Sequence, residues 1–172
     1  GMDDGDMLLQ EEVEIEDTDT STILFDKLSV AGSKLLLKAI PLIINGVLHP
    51  IKQDESKVTF AYNIKPEEER LDYNLDSYTL YNKIRALLDE PIAYFYFKGF
   101  EDDANRIKVI DATPYDVEEC FENGDIINIT KKSFSIACGN HTALKINKLK
   151  PNGKTIMDAS AFVNGGLKKY IK

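Results

Sequence analysis

The residues that could do chemistry lie near the two ends of the chain. Asp3-Asp4-Gly5-Asp6 sets three carboxylates around a glycine. Nine of the first twenty residues are Asp or Glu, and none is a base. An acidic, glycine-centred loop running into M-L-L-Q-E-E-V-E-I, which reads as a strand, has the form of an active-site wall. At the other end, residues 131–172 hold nine lysines and one acid, Asp158. Lys145, Lys148, Lys150 and Lys154 fall on one predicted strand and the loop after it. Such a run suits an anionic partner, because lysines neutralise phosphates without reading bases. It equally suits a solvated sheet edge kept from pairing. Arg85, on a predicted helix, is a further phosphate candidate or half of a helix-surface ion pair. His49 and His141 each stand alone on a predicted loop or turn. Cys120 and Cys138 lack metal-ligand spacing and read as reduced thiols.

These residues need elements to position them. The pattern at 7–16 alternates acidic and apolar toward its end and predicts a strand. D-T-D-T-S at 17–21 offers N-caps to a helix carrying Ile23, Leu24, Leu28, Ala31, Leu35, Leu36, Ala39, Ile40 and Ile43. Asn45-Gly46 would end it, with Gly32 and Pro41 suggesting a kink. Residues 47–65 read as a linker. Pro66-Glu67-Glu68-Glu69 looks like a helix first turn. Asp76 or Ser77 caps a second helix with Leu80, Ile84, Leu87 and Leu88 on one face, closed before Pro91.

From residue 92 the period becomes two. I-A-Y-F-Y-F-K sets Tyr94 and Tyr96 on one face and Phe95 and Phe97 on the other. R-I-K-V-I-D-A, D-I-I-N-I-T, S-F-S-I-A-C and A-L-K-I-N-K-L follow, split by turn-rich segments. Short strands this close together predict a small antiparallel sheet closed, or nearly closed, into a barrel. On a regular strand Lys145 and Lys148 point to opposite faces, and Lys148 and Lys150 share one. The Tyr94/Tyr96 face could stack bases or simply pack across strands. M-D-A-S-A-F-V-N-G carries the signals of a short helix. The net charge of −8 hides the asymmetry between the ends. No apolar run approaches about 20 residues, so no membrane span is predicted. The acidic start is not that of a signal peptide, and a cytoplasmic protein is expected.

Several stretches, in order and at compatible spacing, resemble the later portion of the methionyl-tRNA formyltransferase family. They are D-D-G-D-M-L-L-Q at 3–10, L-F-D-K-L-S-V-A-G-S-K-L-L at 24–36, Q-D-E-S-K-V-T-F-A-Y-N-I at 53–64 and E-E-x-R-L-D-Y at 68–73. I-R-A at 84–86, A-C-G-N-H-T-A-L-K-I at 137–146 and K-P-N-G-K-T-I-M at 150–157 continue the series. The resemblance implies an α+β chain. A strand and helix from the end of a Rossmann-like catalytic domain (1–46) would be followed by a linker (47–75) and an OB-like antiparallel barrel (76–172). It implies that Asp3 matches the family's catalytic Asp, and that the catalytic Asn and His would lie upstream of Gly1. Asp3 would then be idle and this chain alone inactive. No cofactor would bind here, 10-formyltetrahydrofolate being the formyl donor of the full enzyme. The implied partner is initiator methionyl-tRNA, held by the basic barrel. The hairpin A-C-G-N-H departs from the family's A-T-G-D-G, and acidic segments at 100–105 and 115–125 would repel phosphate. The alternative is part of a formyltransferase acting on another amine, such as an amino sugar, with the barrel as spacer or oligomerisation element. An unpaired strand at 7–16 would favour a homodimer through the N-terminal strand and helix.

Overall fold

The computed structural model describes residues 4–171 and divides the chain into two compact units, Gly1–Asn63 and Ile64–Lys172. The first unit is built on one long helix, α1 (Ser21–Ile44). Its N-cap is Thr20, whose hydroxyl accepts a hydrogen bond from the Ile23 amide at 3.3 Å. The helix is assigned as unbroken through Gly32 and Pro41. Pro41 sits in the last turn, where a lost amide hydrogen bond disturbs the helix least. One stripe (Leu24, Lys27, Ala31, Leu35, Ala39) is partly or fully covered, at the spacing of one helix face. Asp19 is buried and bonds the Lys27 ammonium at 2.7 Å, which raises the lysine pKa.

The strand expected at 7–16 is not formed. Met7 alone pairs, with Ile51, through two backbone hydrogen bonds of 2.8 Å, and residues 8–16 join no sheet. Glu11, Glu12, Glu14 and Glu16 crowd this stretch, and it has no partner ladder to offset their repulsion. The unpaired strand that motivated a homodimer is therefore missing.

The second unit is a mixed α/β fold around an antiparallel half-barrel. Its strands are β1 (Tyr94–Phe95), β2 (Ile107–Asp116), β3 (Ile126–Ile127), β4 (Phe134–Cys138), β5 (Thr142–Pro151) and β6 (Met157–Asp158). The ladder order is β1-β2-β5-β4-β3, with β6 also on β5. The two long strands β2 and β5 form its spine. Helix α2 (Ser77–Leu87) turns Leu80, Ile84 and Leu87 into the core. Its N-cap is Asp76, which accepts from the Thr79 amide at 2.9 Å and the Thr79 hydroxyl at 2.8 Å. Pro66–Glu69 is a 3-10 turn rather than a helix start. The short helix α3 (Ala159–Gly165) brings Phe162 against Phe97. Phe97 also meets Tyr170 at 4.5 Å and Phe134 at 5.9 Å between ring centroids.

The predicted alternation along 94–97 is kept in part: Phe95 and Phe97 are buried in the core and Tyr96 is half-buried, but Tyr94 is buried as well. Leu71 and Tyr73 also join this core, so the segment read as a linker over 47–75 is shared between the two units. Among the described residues no helix is long and apolar enough to cross a membrane.

Candidate nucleic-acid interface

The lysines of β5 are arranged by an irregularity in its pairing. Val109 opposes Leu149, but Asp111 opposes Lys148 and Ala112 opposes Ile146. Ile110 and Asn147 are left without opposite partners, the mark of a bulge that breaks the two-residue alternation. Leu144, Ile146 and Leu149 all face the core as a result. Lys145, Lys148 and Lys150 are all exposed. The expectation that Lys145 and Lys148 point to opposite faces is thus corrected: it assumed a regular strand.

The five predicted phosphate contacts do not form one cluster. Lys148 has acids as neighbours on both flanking strands, Asp111 on β2 and Asp158 on β6. Lys145 stands between Thr113 and Ser135, toward the other end of β5. Arg85 lies on α2, its Nε donating to Asn82 Oδ1 at 2.9 Å. Lys150 and Lys154 do come together, in a groove of about 500 Å³ lined also by Arg106, Lys108, Pro151, Asn152 and Gly153. Four cations and no carboxylate form its wall.

Arg106 and Lys108 were not singled out in the sequence. R-I-K was legible as a strand, but its pairing was not. The register sets Lys108 directly across from Lys150. Like charges so placed destabilise a sheet, and broken local rules concentrate at functional sites. The turn after β5 is held by Asn152, whose amide donates to the Arg106 carbonyl and whose side chain donates to the Asp103 carbonyl, each at 2.8 Å. Gly153 takes φ +68°, open to glycine without steric cost. Lys108 Nζ donates to the Pro91 carbonyl at 2.9 Å. Arg106 pairs with Asp103, which pushes its pKa up, and lies 4.9 Å from the centre of the Tyr94 ring. Its Nε is buried with no hydrogen-bond partner.

From that arginine two rings follow in a row, Tyr94 on β1 and Tyr96 just past its end. Tyr94 meets Tyr96 edge-on at 5.5 Å, and Arg70 lies 5.2 Å over the Tyr96 ring. Beyond it is a second cavity, of about 450 Å³, walled by Arg70, Tyr96, Lys98, Asp72, Asn74 and Asn123 among others.

The other candidates stay apart. Asp3 lies outside the described residues. His141 occupies the β4–β5 turn, where it and Asn140 take φ of 54° and 56°. Its Nδ1 is 3.8 Å from the exposed Cys120 thiol. Cys138 is buried, and burial pushes its thiol up to about 12. Among the described residues no three His, Cys, Asp or Glu side chains gather to hold a metal.

A half-barrel with its helices packed in the core and a cationic groove on its long strands defines a class. Residues 63–167 match the family model for the formyl transferase C-terminal domain, and the chain belongs to that family. The match begins one residue before the second structural unit, which starts at Ile64. Over 164 residues, the chain is 45% identical to methionyl-tRNA formyltransferases of Bacillus thuringiensis (strain Al Hakam) and Bacillus anthracis. That covers 95% of this chain and 51% of each relative, so the chain spans about half the length of the curated relatives it matches. Its place is the C-terminal portion of the methionyl-tRNA formyltransferase family. Solved structures that share the fold include the following two. HypX from Aquifex aeolicus superposes with a TM-score of 0.66 at 18% identity, over 99% of this chain and 30% of its own. An N-formyltransferase from Helicobacter canadensis, bound to folinic acid and dTDP-3-aminofucose, gives 0.59 at 20% identity, over 85% and 51%.

Proposed function

We propose that this chain is the tRNA-holding portion of a methionyl-tRNA formyltransferase. Its second unit would grip the phosphate backbone of initiator methionyl-tRNA, in the cytoplasm, through Arg106, Lys108, Lys150 and Lys154. The observation that carries this reading is the Lys108–Lys150 opposition across β2 and β5, at the wall of a groove without carboxylates. A sheet tolerates two facing lysines most readily where an anion lies over both. The 45% identity to methionyl-tRNA formyltransferases favours this substrate over an amino sugar, for which the support is likeness of fold alone. Formyl transfer would need the family's catalytic Asn and His, which the resemblance places on neither His49 nor His141. 10-Formyltetrahydrofolate would serve the complete enzyme as donor.

The test is binding of initiator tRNA to the chain across a salt series. Affinity should fall as salt rises, with a log–log slope of about 0.7–0.9 per phosphate contacted. Lys150→Ala and Lys154→Ala should each reduce that slope by about one contact, and Lys148→Ala, flanked by Asp111 and Asp158, by less. No binding at low salt, or slopes unchanged in both groove variants, would overturn the reading. In a formylation assay the chain by itself should show no turnover. Turnover lost in Asp3→Asn would show that Asp3 is at work.

A further inference from the structure

We infer that the cavity beside Tyr96 takes an unpaired nucleobase of the RNA whose phosphates lie in the basic groove. The inference rests on the proposed function and names which part of an RNA this face would read.

The chemistry changes along the strip. The groove wall is cationic, as phosphates require. The Tyr96 cavity instead offers flat surfaces and hydrogen-bonding edges. Its flat surfaces are the half-buried Tyr96 ring and the Arg70 guanidinium, whose central carbon lies over the ring at 5.2 Å from its centre. Its edges include Asp72, Asn74, Asn123 and Glu101. Asn74 Nδ2 donates to Asp72 Oδ1 and Asn123 Nδ2 to Asn74 Oδ1, which leaves the second carboxylate oxygens and the Asn123 carbonyl as acceptors and one hydrogen on each amide as donor. Carboxylates there would repel a phosphate but can accept from the amino or imino groups of a base. Aromatic rings and arginine planes are what single-stranded RNA stacks on, since every base has a π-face. A base within a duplex cannot reach such a surface.

The two sites are joined by a continuous structural path. Arg106 belongs to the groove wall and covers the Tyr94 ring, Tyr94 meets Tyr96, and Tyr96 carries Arg70. The platform is fixed from behind: Tyr73 Oη donates to the Tyr96 carbonyl at 3.3 Å, and Phe95 and Phe97 on either side are buried. Arg70 is exposed, so it can lift to admit a base and then close over it. The occupant is thus a single-stranded segment of RNA, its backbone in the groove and one base against Tyr96.

The experiment uses the whole chain with two probes, a single-stranded RNA of about ten nucleotides and a fully paired RNA duplex. Tyr96→Ala should weaken the single-stranded probe by about 5- to 150-fold, the range that loss of one stacked base predicts. It should leave the salt slope and duplex affinity unchanged, and Tyr96→Phe, which keeps the ring, should bind like the parent. The chain contains no tryptophan, so Tyr96→Trp supplies a lone reporter. Its fluorescence should be quenched by the single-stranded probe and not by the duplex. Lys150→Ala is the control for the groove. If Lys150→Ala weakens binding while Tyr96→Ala does not, or the Tyr96→Trp emission is unmoved, the base site is wrong and the groove reading stands. If neither RNA binds at low salt, both fall together.

Discussion

Gly139 has no room for a side chain. A Cβ built there would lie 2.2 Å from the Asn74 carbonyl oxygen, because the Gly139 amide donates at 2.9 Å to the carbonyls of both Tyr73 and Leu75. That contact ties the segment before α2 to the end of β4. Gly139→Ala should therefore cost about 1–3 kcal/mol, as overpacking does, and lower the melting temperature with the groove untouched. The two thiols should behave differently in a titration with a small aromatic disulfide. Cys120 is exposed and should react in the native protein. Cys138, buried and with its thiol pushed up to about 12, should react only on unfolding. Two reactive thiols in the folded state would contradict the packing of β4. At this scale the sequence was only partly legible. The lysine-rich end and Lys150 and Lys154 within it could be read directly. Arg106, Lys108 and Arg70 could not, because each matters through a neighbour distant in the chain.

Elements give the next level. The start of α2 depends on Asp76, whose carboxyl is held below its ordinary range first by the Thr79 amide and then by the Thr79 hydroxyl. A depressed carboxylate contributes stability that is present above its unfolded pKa and lost as pH falls through the folded one. Acid should thus loosen α2, and Asp76→Ala should lose both the cap and this part of the acid dependence. Denaturant midpoints at neutral pH and at pH values below the carboxylate range measure it. Helices α1 and α2 were legible because their caps and their 3.6-residue period are local. The strand predicted at 7–16 failed for the opposite reason. An alternating pattern forms a strand only when another strand is there to take its hydrogen bonds, and Met7 alone finds one.

Across the whole molecule the two units differ in how they are held. The second has a core of large side chains, among them Phe95, Phe97, Phe134, Leu80 and Leu149. In the first, only Asp19 and Ala39 are buried among the described residues, and Phe25, Leu37 and Ile44 are more than 70% exposed. Limited proteolysis should therefore cut within residues 4–63 first and leave a fragment close to 64–172. That fragment should unfold cooperatively and keep the salt-dependent RNA binding. Rapid cleavage within β2 or β5 would contradict a self-sufficient half-barrel. Phe97→Ala, which removes a ring in contact with Phe134, Phe162 and Tyr170, should cost about 3–5 kcal/mol.

Legible in the chain itself were the family resemblance, the two main helices, the run of short strands and the concentration of positive charge at one end. All of these depend on residue identity and short-range spacing. The tertiary structure alone decided which charges meet. The β2–β5 register placed Lys108 opposite Lys150, and the bulge at Ile110 and Asn147 turned Lys145 and Lys148 outward together. Register is a property of two segments distant from each other in the chain. A one-residue irregularity in it changes the face of every side chain beyond.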